Sequence, residues 1–178
     1  MGQLAEDIGF LVPQTKKCHW NTNITDVKFP CILKPSHQTV GKYNEFKFKV
    51  CTTPAQLKNT LRFVRHDSEF LLQQYIPKEK DILIYGARMM DGKTCLAGAL
   101  VRDRFCGTGE SSHGVITENI PICVNTEYIA QFLERIDYYG LFSVEYGMVK
   151  DEAYFFEVNL RNDGTSHFFF QAGANIPL

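Results

Sequence analysis

Two short runs near the carboxyl end most limit what this chain can fold into: Phe142-Ser143-Val144-Glu145-Tyr146 and Phe155-Phe156-Glu157-Val158-Asn159-Leu160-Arg161. Side chains alternate across a strand with period 2. Phe142, Val144, Tyr146 and Met148 then form an apolar face in the first run and leave Glu145 on the polar one. In the second run Phe156, Val158 and Leu160 lie on one side, and Glu157 and Asn159 share the other. Lys150-Asp151-Glu152 reads as a turn, so the two runs are expected to pair as a hairpin. For the even-numbered residues of both strands to bury together, paired numbers must sum to an even value, as an odd-length loop gives. A three-residue loop pairs Val149 with Ala153 and sets Glu145 opposite Glu157. Two carboxylates directly across a hairpin repel, and a cation between them would relieve that. Two carboxylates and an amide oxygen are hard donors suited to Mg²⁺, which keeps waters and bridges to substrate phosphates. A solvated polar face is the alternative.

The length, 178 residues, allows one domain or two small lobes with a real core. A formal charge of −1 supplies no basic field, which argues against nucleic acid as a partner. Six cysteines (Cys18, Cys31, Cys51, Cys95, Cys106 and Cys123) are scattered without a C-x-x-C pair, and several sit inside apolar runs. That is expected of reduced, mostly buried thiols in a cytoplasmic protein. No apolar run approaches membrane length and the amino terminus lacks a signal-peptide pattern, so no membrane partner is expected.

Along the chain, Gln3 to Phe10 reads as a helix tail closed by Gly9. Phe29 to Pro35 is a short buried strand ending in Lys34, followed by a polar loop from Ser36 to Glu45 and a returning strand from Phe46 to Cys51. Thr53 can cap a helix with Pro54 in its first turn and Leu57, Leu61 and Val64 inward. Phe70 to Pro77, Ile82 to Met89 and Thr94 to Arg102 read as strands, the last two joined at Asp91-Gly92. A Gly/Ser-rich loop follows from Cys106 to Gly114. Thr126 then caps a helix over Glu127 to Tyr139, with Ile129, Phe132, Leu133 and Ile136 inward, and a last helix starts within Ser166 to Ala174. Mixed strands and helices with several hairpins predict an α+β fold with antiparallel sheets.

In this order the segments resemble the ATP-grasp superfamily, whose members activate a carboxylate with ATP and pass it to a nucleophile. Leu4 to Thr15 is similar to the opening of that fold, Phe29 to Pro35 to its phosphate-lysine strand, and Leu72 to Pro77 to its adenine linker. Glu157-x-Asn159-x-Arg161 resembles its metal-binding end. In motif style the chain is nearest to the carbamoyl-phosphate synthetase large chain and biotin carboxylase. The resemblance implies two lobes, each an antiparallel sheet with helices, holding ATP between them. Residues 1–15 would be the opening helix and linker, 16–77 the smaller lobe, and 78–178 the larger lobe with the metal hairpin.

Residue by residue, the resemblance implies that Lys34 contacts the α- and β-phosphates and that backbone groups of Gln73, Gln74, Tyr75 and Ile76 receive adenine. Asp81, or Glu79, would accept from the ribose hydroxyls, and Glu145, Glu157 and Asn159 match the positions that hold Mg²⁺ or Mn²⁺. Arg161 falls near the acyl-phosphate or the substrate, and Arg102 and Arg104 fall to the γ-phosphate or the acceptor site, where a guanidinium fork suits phosphate or carboxylate. Each has a plain alternative: a surface lysine, a core strand or a solvated charge run. His113 and His167 are candidate acid–base groups, although a histidine beside a glycine or in an aromatic run is more often structural.

The pattern departs from the family in three places. The loop after Lys34 carries only Gly41, so Ser36, His37, Gln38 and Lys42 would have to serve as the phosphate lid. Ser143 stands where some peptide-forming members use arginine, which argues against a close D-alanine ligase relationship. The family's first phosphate lysine and amino-terminal substrate lobe would lie before Met1, so a piece of a longer protein or a reduced module is expected. The expected function is the ATP-binding, Mg²⁺-dependent part of a ligase joining a small carboxylate to an amine or thiol through an acyl-phosphate. The alternatives are a nucleotide-binding regulatory module without chemistry and a plain interaction domain. The expected partners are ATP, a small carboxylate or amine, and the rest of a longer polypeptide or a second copy.

Overall fold

The computed structural model describes residues 1–35, 46, 48–105 and 111–174. The expected phosphate-lid residues Ser36, His37, Gln38, Gly41 and Lys42 lie outside the described residues, as do Cys106 and the first half of the Gly/Ser loop. The chain forms two compact units, one of Pro13–Ile76 and one of Met1–Val12 with Pro77–Leu178.

The unit Pro13–Ile76 holds an antiparallel sheet in the order β1 (Thr15–Cys18), β4 (Phe70–Gln74), β2 (Cys31–Pro35), β3 (Lys49–Cys51), with helix α2 (Pro54–Leu61). Strand β1 was not foreseen, because Thr15-Lys16-Lys17-Cys18 has a single apolar residue. As expected, Thr53 caps α2, its hydroxyl accepting from Gln56 N–H at 3.2 Å, while Gln56 Oε1 returns to Thr52 N–H at 2.8 Å. The first bond satisfies a donor that the first helical turn leaves open, and the second ties the residue before the cap to that turn. One sheet face buries Cys18, Cys31, Leu33, Phe70 and Leu72 with Cys51, Leu57, Leu61 and Val64. By register the opposite face carries Thr15, Gln73 and Ile32 in one row and Lys17, Leu71 and Lys34 in the next.

The other unit holds a five-stranded antiparallel sheet ordered β7 (Ser111–Thr117), β6 (Thr94–Phe105), β5 (Lys80–Arg88), β8 (Gly140–Val149), β9 (Glu152–Asn159). Helices α1 (Gly2–Ile8) and α3 (Thr126–Arg135) cover one face. Their core joins Ala5, Phe10, Ile129, Phe132 and Leu133 to Ile82, Ile84, Phe142, Val144, Tyr146 and Phe155 of the sheet. Helix α4 (Ser166–Gln171) places Phe169 on the other face against Leu83, Tyr85 and Leu100. Three local expectations need correction. The cap of α3 is Asn125, whose Oδ1 accepts from Glu127 N–H at 3.0 Å, in place of Thr126. That helix ends at Arg135, because Asp137 takes φ 50° and Gly140 φ 127° to turn the chain back. Part of the expected Gly/Ser loop is instead strand β7, paired to a β6 that runs three residues past Arg102.

The hairpin forms, but by another register. The turn has two residues, Lys150 and Asp151, with Lys150 at φ 54°, so Val149 pairs with Glu152 and Met148 with Ala153. Continued unbroken, this pairing would bury odd-numbered residues of β9. A bulge between Tyr146 and Glu145 corrects it: Tyr146 faces Phe155, Phe156 is the extra residue, and Glu145 faces Glu157. The expected apolar face therefore loses Phe156 and gains Phe155, which is 3% exposed against 37% for Phe156. The Phe156 ring lies over Gly147, where a Cβ would come within 2.3 Å of it. Phe155 instead packs at 5.0 Å, centroid to centroid, on Phe10.

Two outcomes follow from this packing. Phe155→Ala is expected to cost roughly 3–5 kcal/mol in denaturant unfolding, and Phe156→Ala under about 1. The thiols of Cys18, Cys31 and Cys51 are buried and all titrate above the usual value, chiefly through burial. Burial and the facing Cys51 push Cys31 up to about 11 from an ordinary 9.0. The unfolded chain releases that proton first, so stability falls as pH rises from 9.0 toward about 11. Urea unfolding across that range should show the fall, and Cys31→Ala should reduce its slope.

Candidate functional site

Register alone gathers a polar cluster on the face of the five-stranded sheet that α4 leaves open. Asp81 on β5 pairs with Arg102 on β6, and two residues on, Leu83 pairs with Glu145 on β8, which faces Glu157 on β9. Period 2 puts Asp81, Arg102, Glu145, Glu157, Ser143 and Asn159 on this one face. Arg102 Nη2 donates to Glu145 Oε2 at 3.0 Å and lies 3.9 Å from Asp81 Oδ2. Lys78 Nζ meets the same Asp81 oxygen at 2.7 Å, with its ammonium 4.7 Å from the Phe105 ring centroid and 5.9 Å from that of Phe156. The side chains of Asp81 and Arg102 are only 8% and 16% exposed. Asp81 Oδ1 and Arg102 Nε are buried without a hydrogen-bond partner among the described residues, so the cluster retains unused donor and acceptor capacity.

Beside it runs a second polar series. Asn159 Nδ2 lies 3.4 Å from Ser143 Oγ, which donates to Asp163. Asp163 also accepts from Thr165 N–H at 2.8 Å and from the Thr165 hydroxyl, and its carbonyl takes the Ser166 hydroxyl at 2.8 Å. Burial pushes the Asp163 carboxyl up, but the bonds from Ser143 and Thr165 and the Arg161 charge outweigh it and hold it below the usual range. Tyr85 OH donates to Asn162 Oδ1 at 3.1 Å, tying the same loop to the sheet.

The expected site residues divide clearly. Asp81, Arg102, Glu145, Glu157 and Asn159 share one face. Asp81 is engaged by Lys78, while Glu79 is exposed and its N–H donates to Met148 O at 2.8 Å. Arg104 is exposed beyond a bulge at Asp103, and exposed Arg161 reaches its neighbour's carbonyl, Asn162 O, at 3.5 Å. His113 pairs with Asp103 at 2.8 Å, and His167 lies 6.2 Å from the Phe168 ring, so neither joins the cluster. In the other unit, half-buried Lys34 lies on the sheet face away from the core, next to the row of Gln73, whose Nε2 donates to Thr15 Oγ1 at 3.0 Å. Gln74 is bound twice to Gln14, its N–H donating at 2.8 Å and its Oε1 accepting at 3.2 Å. Ile76 is buried, and Tyr75 lines a cleft of about 510 Å³ with Gln73, Gln74, Lys16 and Lys28. Lys78, Ser143 and Asp163 were not foreseen as members. Asp163-Gly164-Thr165-Ser166 before an apolar run is a helix-start pattern that signals Asp163, whereas Lys78 sits in an ordinary charged run.

The donor set fits a hard divalent cation. Among the described residues no three acidic, histidine or cysteine side chains converge as a closed metal cage. Two facing carboxylates with an adjacent amide suit Mg²⁺, which takes one or two carboxylates and completes its shell with phosphate oxygens and water. Arg102 meanwhile offsets the repulsion of Glu145 and Glu157. Arg102→Leu is expected to lose roughly 1–3 kcal/mol in denaturant unfolding, and Glu145→Gln in that background, which removes the acid left without its 3.0 Å partner, should recover part of the loss.

The model of the ATP-grasp domain family matches residues 8–176 of this chain. A formate-dependent phosphoribosylglycinamide formyltransferase of Bacillus subtilis is 25% identical over 147 residues, covering 78% of this chain and 36% of that protein. The crystal structure of N5-carboxyaminoimidazole synthetase from Staphylococcus aureus, complexed with ADP, superposes with a TM-score of 0.75 at 14% identity, over 96% of this chain and 46% of that one. An L-amino acid ligase from Bacillus licheniformis gives a TM-score of 0.71 at 13% identity, over 93% and 40%. This chain thus spans less than half the length of each of these proteins. With the family match running over nearly its whole length and the α+β architecture shared with these structures, the chain belongs to the ATP-grasp domain family.

Proposed function

We propose that this chain is the ATP-binding, divalent-metal-dependent part of a ligase that activates a carboxylate for attack by an amine or thiol. The observation that carries the reading is the Glu145–Glu157 rung with Asn159 on the same face. A facing carboxylate pair weakens a sheet, Arg102 contacts only its Glu145 member, and a cation held by both would turn the remaining cost into binding. Glu145, Glu157 and Asn159 would hold Mg²⁺ or Mn²⁺, which when bound offsets charge on the β- and γ-phosphates. Lys34 would meet the α- and β-phosphates, and the segment Gln73 to Ile76 would receive the adenine. Arg102, already at Glu145 and Asp81, would be the cation nearest the transferring phosphoryl group. The arginine fork suits three equatorial oxygens whose charge must be held in place as transfer proceeds.

In the reaction proposed, a carboxylate oxygen attacks the γ-phosphorus, the bond to the β–γ bridging oxygen breaks, and ADP departs with that electron pair. The amine or thiol then attacks the acyl carbon and expels inorganic phosphate, its proton passing to solvent. The relatives' names are in keeping with this chemistry, one being a formate-dependent formyltransferase and another an L-amino acid ligase, each named for a carboxylic acid. Nucleotide binding without turnover is a second reading, favoured by the hold of Arg102 on Glu145, which supplies a built-in cation to the carboxylate pair.

Calorimetric titration of ATP with and without Mg²⁺ tests the proposal. Binding is expected to tighten with Mg²⁺, and Glu157→Ala should weaken the Mg²⁺-dependent part by at least ~10-fold. Binding indifferent to both Mg²⁺ and the substitution would overturn it. ADP release on adding small carboxylates and amines separates the ligase from the non-turnover reading.

A further inference from the structure

The Ser143–Asn159 pair is the rung next to Glu145–Glu157, on the same face of the sheet. Here three side chains run in series: Asn159 Nδ2 to Ser143 Oγ at 3.4 Å, and Ser143 Oγ to Asp163. The second Asp163 oxygen is taken by Thr165, through its N–H at 2.8 Å and its hydroxyl. An ionised carboxylate only accepts, and a serine hydroxyl has one proton to give. Once that proton is committed to Asp163, Ser143 has only lone pairs left for Asn159. The Asn159 amide must then turn Nδ2 toward Ser143 and Oδ1 away. The oxygen and nitrogen of an amide are told apart by their network, and this network starts from an anion, which gives it one direction.

From this geometry we infer that Asp163 is a positioning residue: through Ser143 it orients the Asn159 amide so that Oδ1, the atom a hard cation requires, is the one left for the ligand. The inference rests on the metal reading of this face proposed above. It assigns a function to a residue outside the proposed set of metal ligands. Partners that orient metal ligands commonly matter to affinity nearly as much as the ligands do. Ser143 is fully buried, so water does not compete for its hydroxyl.

Asp163 also holds Thr165, the cap residue of α4, and the test must separate the two roles. Asp163→Asn keeps the shape and, with Oδ1 toward Thr165, keeps that acceptor. It places an amide N–H₂ against Ser143, which releases the serine proton toward Asn159 and reverses the series. Asn159→Asp has an oxygen on either side and needs no orienting, so it should make the protein indifferent to the reversal. The measurement is Mn²⁺ binding in the presence of ATP, followed by electron paramagnetic resonance on the full chain, with metal-free ATP binding and thermal melting alongside. Asp163→Asn is expected to weaken Mn²⁺ binding ~10-fold, with metal-free ATP binding unchanged and the loss suppressed in the Asn159→Asp background. Ser143→Ala, which leaves the amide unoriented, should give a smaller loss that is suppressed in the same way and serves if Asp163→Asn does not fold. Equal losses in both backgrounds, or full Mn²⁺ affinity in both single variants, would overturn the inference while leaving the proposed function standing. Failure of the unsubstituted chain to bind Mn²⁺ with ATP would overturn both.

Discussion

Glu145 and Glu157 face each other across β8 and β9, and the arrangement of the face around them answers that like-charge pair. Two carboxylates at a cross-strand rung oppose the pairing that puts them there. Arg102 reaches Glu145 at 3.0 Å, and its own charge is shared with Asp81, which in turn holds Lys78. The resulting chain of alternating charges spans three strands and gives Glu145, one acid of the rung, a cation at 3.0 Å. A hard cation with phosphate ligands is the completion proposed for this set.

The two faces of the same sheet are linked through the β9 bulge. On the helix-covered face, Phe155 must join Phe10, Phe132 and Tyr146. On the open face, Glu157 must meet Glu145. With the two-residue turn at Lys150-Asp151 no unbroken ladder satisfies both, and one extra residue does. Phe156, displaced by the bulge, lies against Gly147 and within cation–π reach of Lys78. Aromatic burial and carboxylate placement are thus set by one local irregularity.

Much of this was legible in the residues. The alternation in Phe142 to Tyr146 marks the strand and its faces, because one buried face imposes a period of 2. Thr53-Pro54 and the apolar spacing of Leu57 and Leu61 mark α2, since capping and helical periodicity are local properties, whereas Val64, expected on the same stripe, is buried beyond the end of the helix at Leu61. Glu145 opposite Glu157 was reached correctly through an incorrect loop: a three-residue turn and a two-residue turn plus bulge give the same sum beyond the bulge. Strand β1 was illegible because its polar residues leave no pattern, and it forms only because β4 supplies a partner edge.

What the sequence by itself determined is local and periodic: which segments extend, which coil, where they cap, and that two acids and an amide share a polar face. These follow from backbone sterics and from the alternation of side chains, which neighbours in the chain decide. What only the tertiary structure decided is which distant groups meet. Arg102 stands 43 residues from Glu145, and Asp163 stands 20 from Ser143. Their pairing depends on strand order, on the bulge and on the docking of α4 through Phe169, all set by burial of apolar surface summed over the whole unit. The orientation of one amide at the candidate metal site is therefore a property of the fold, because the proton that fixes it comes from residues that sequence distance does not connect.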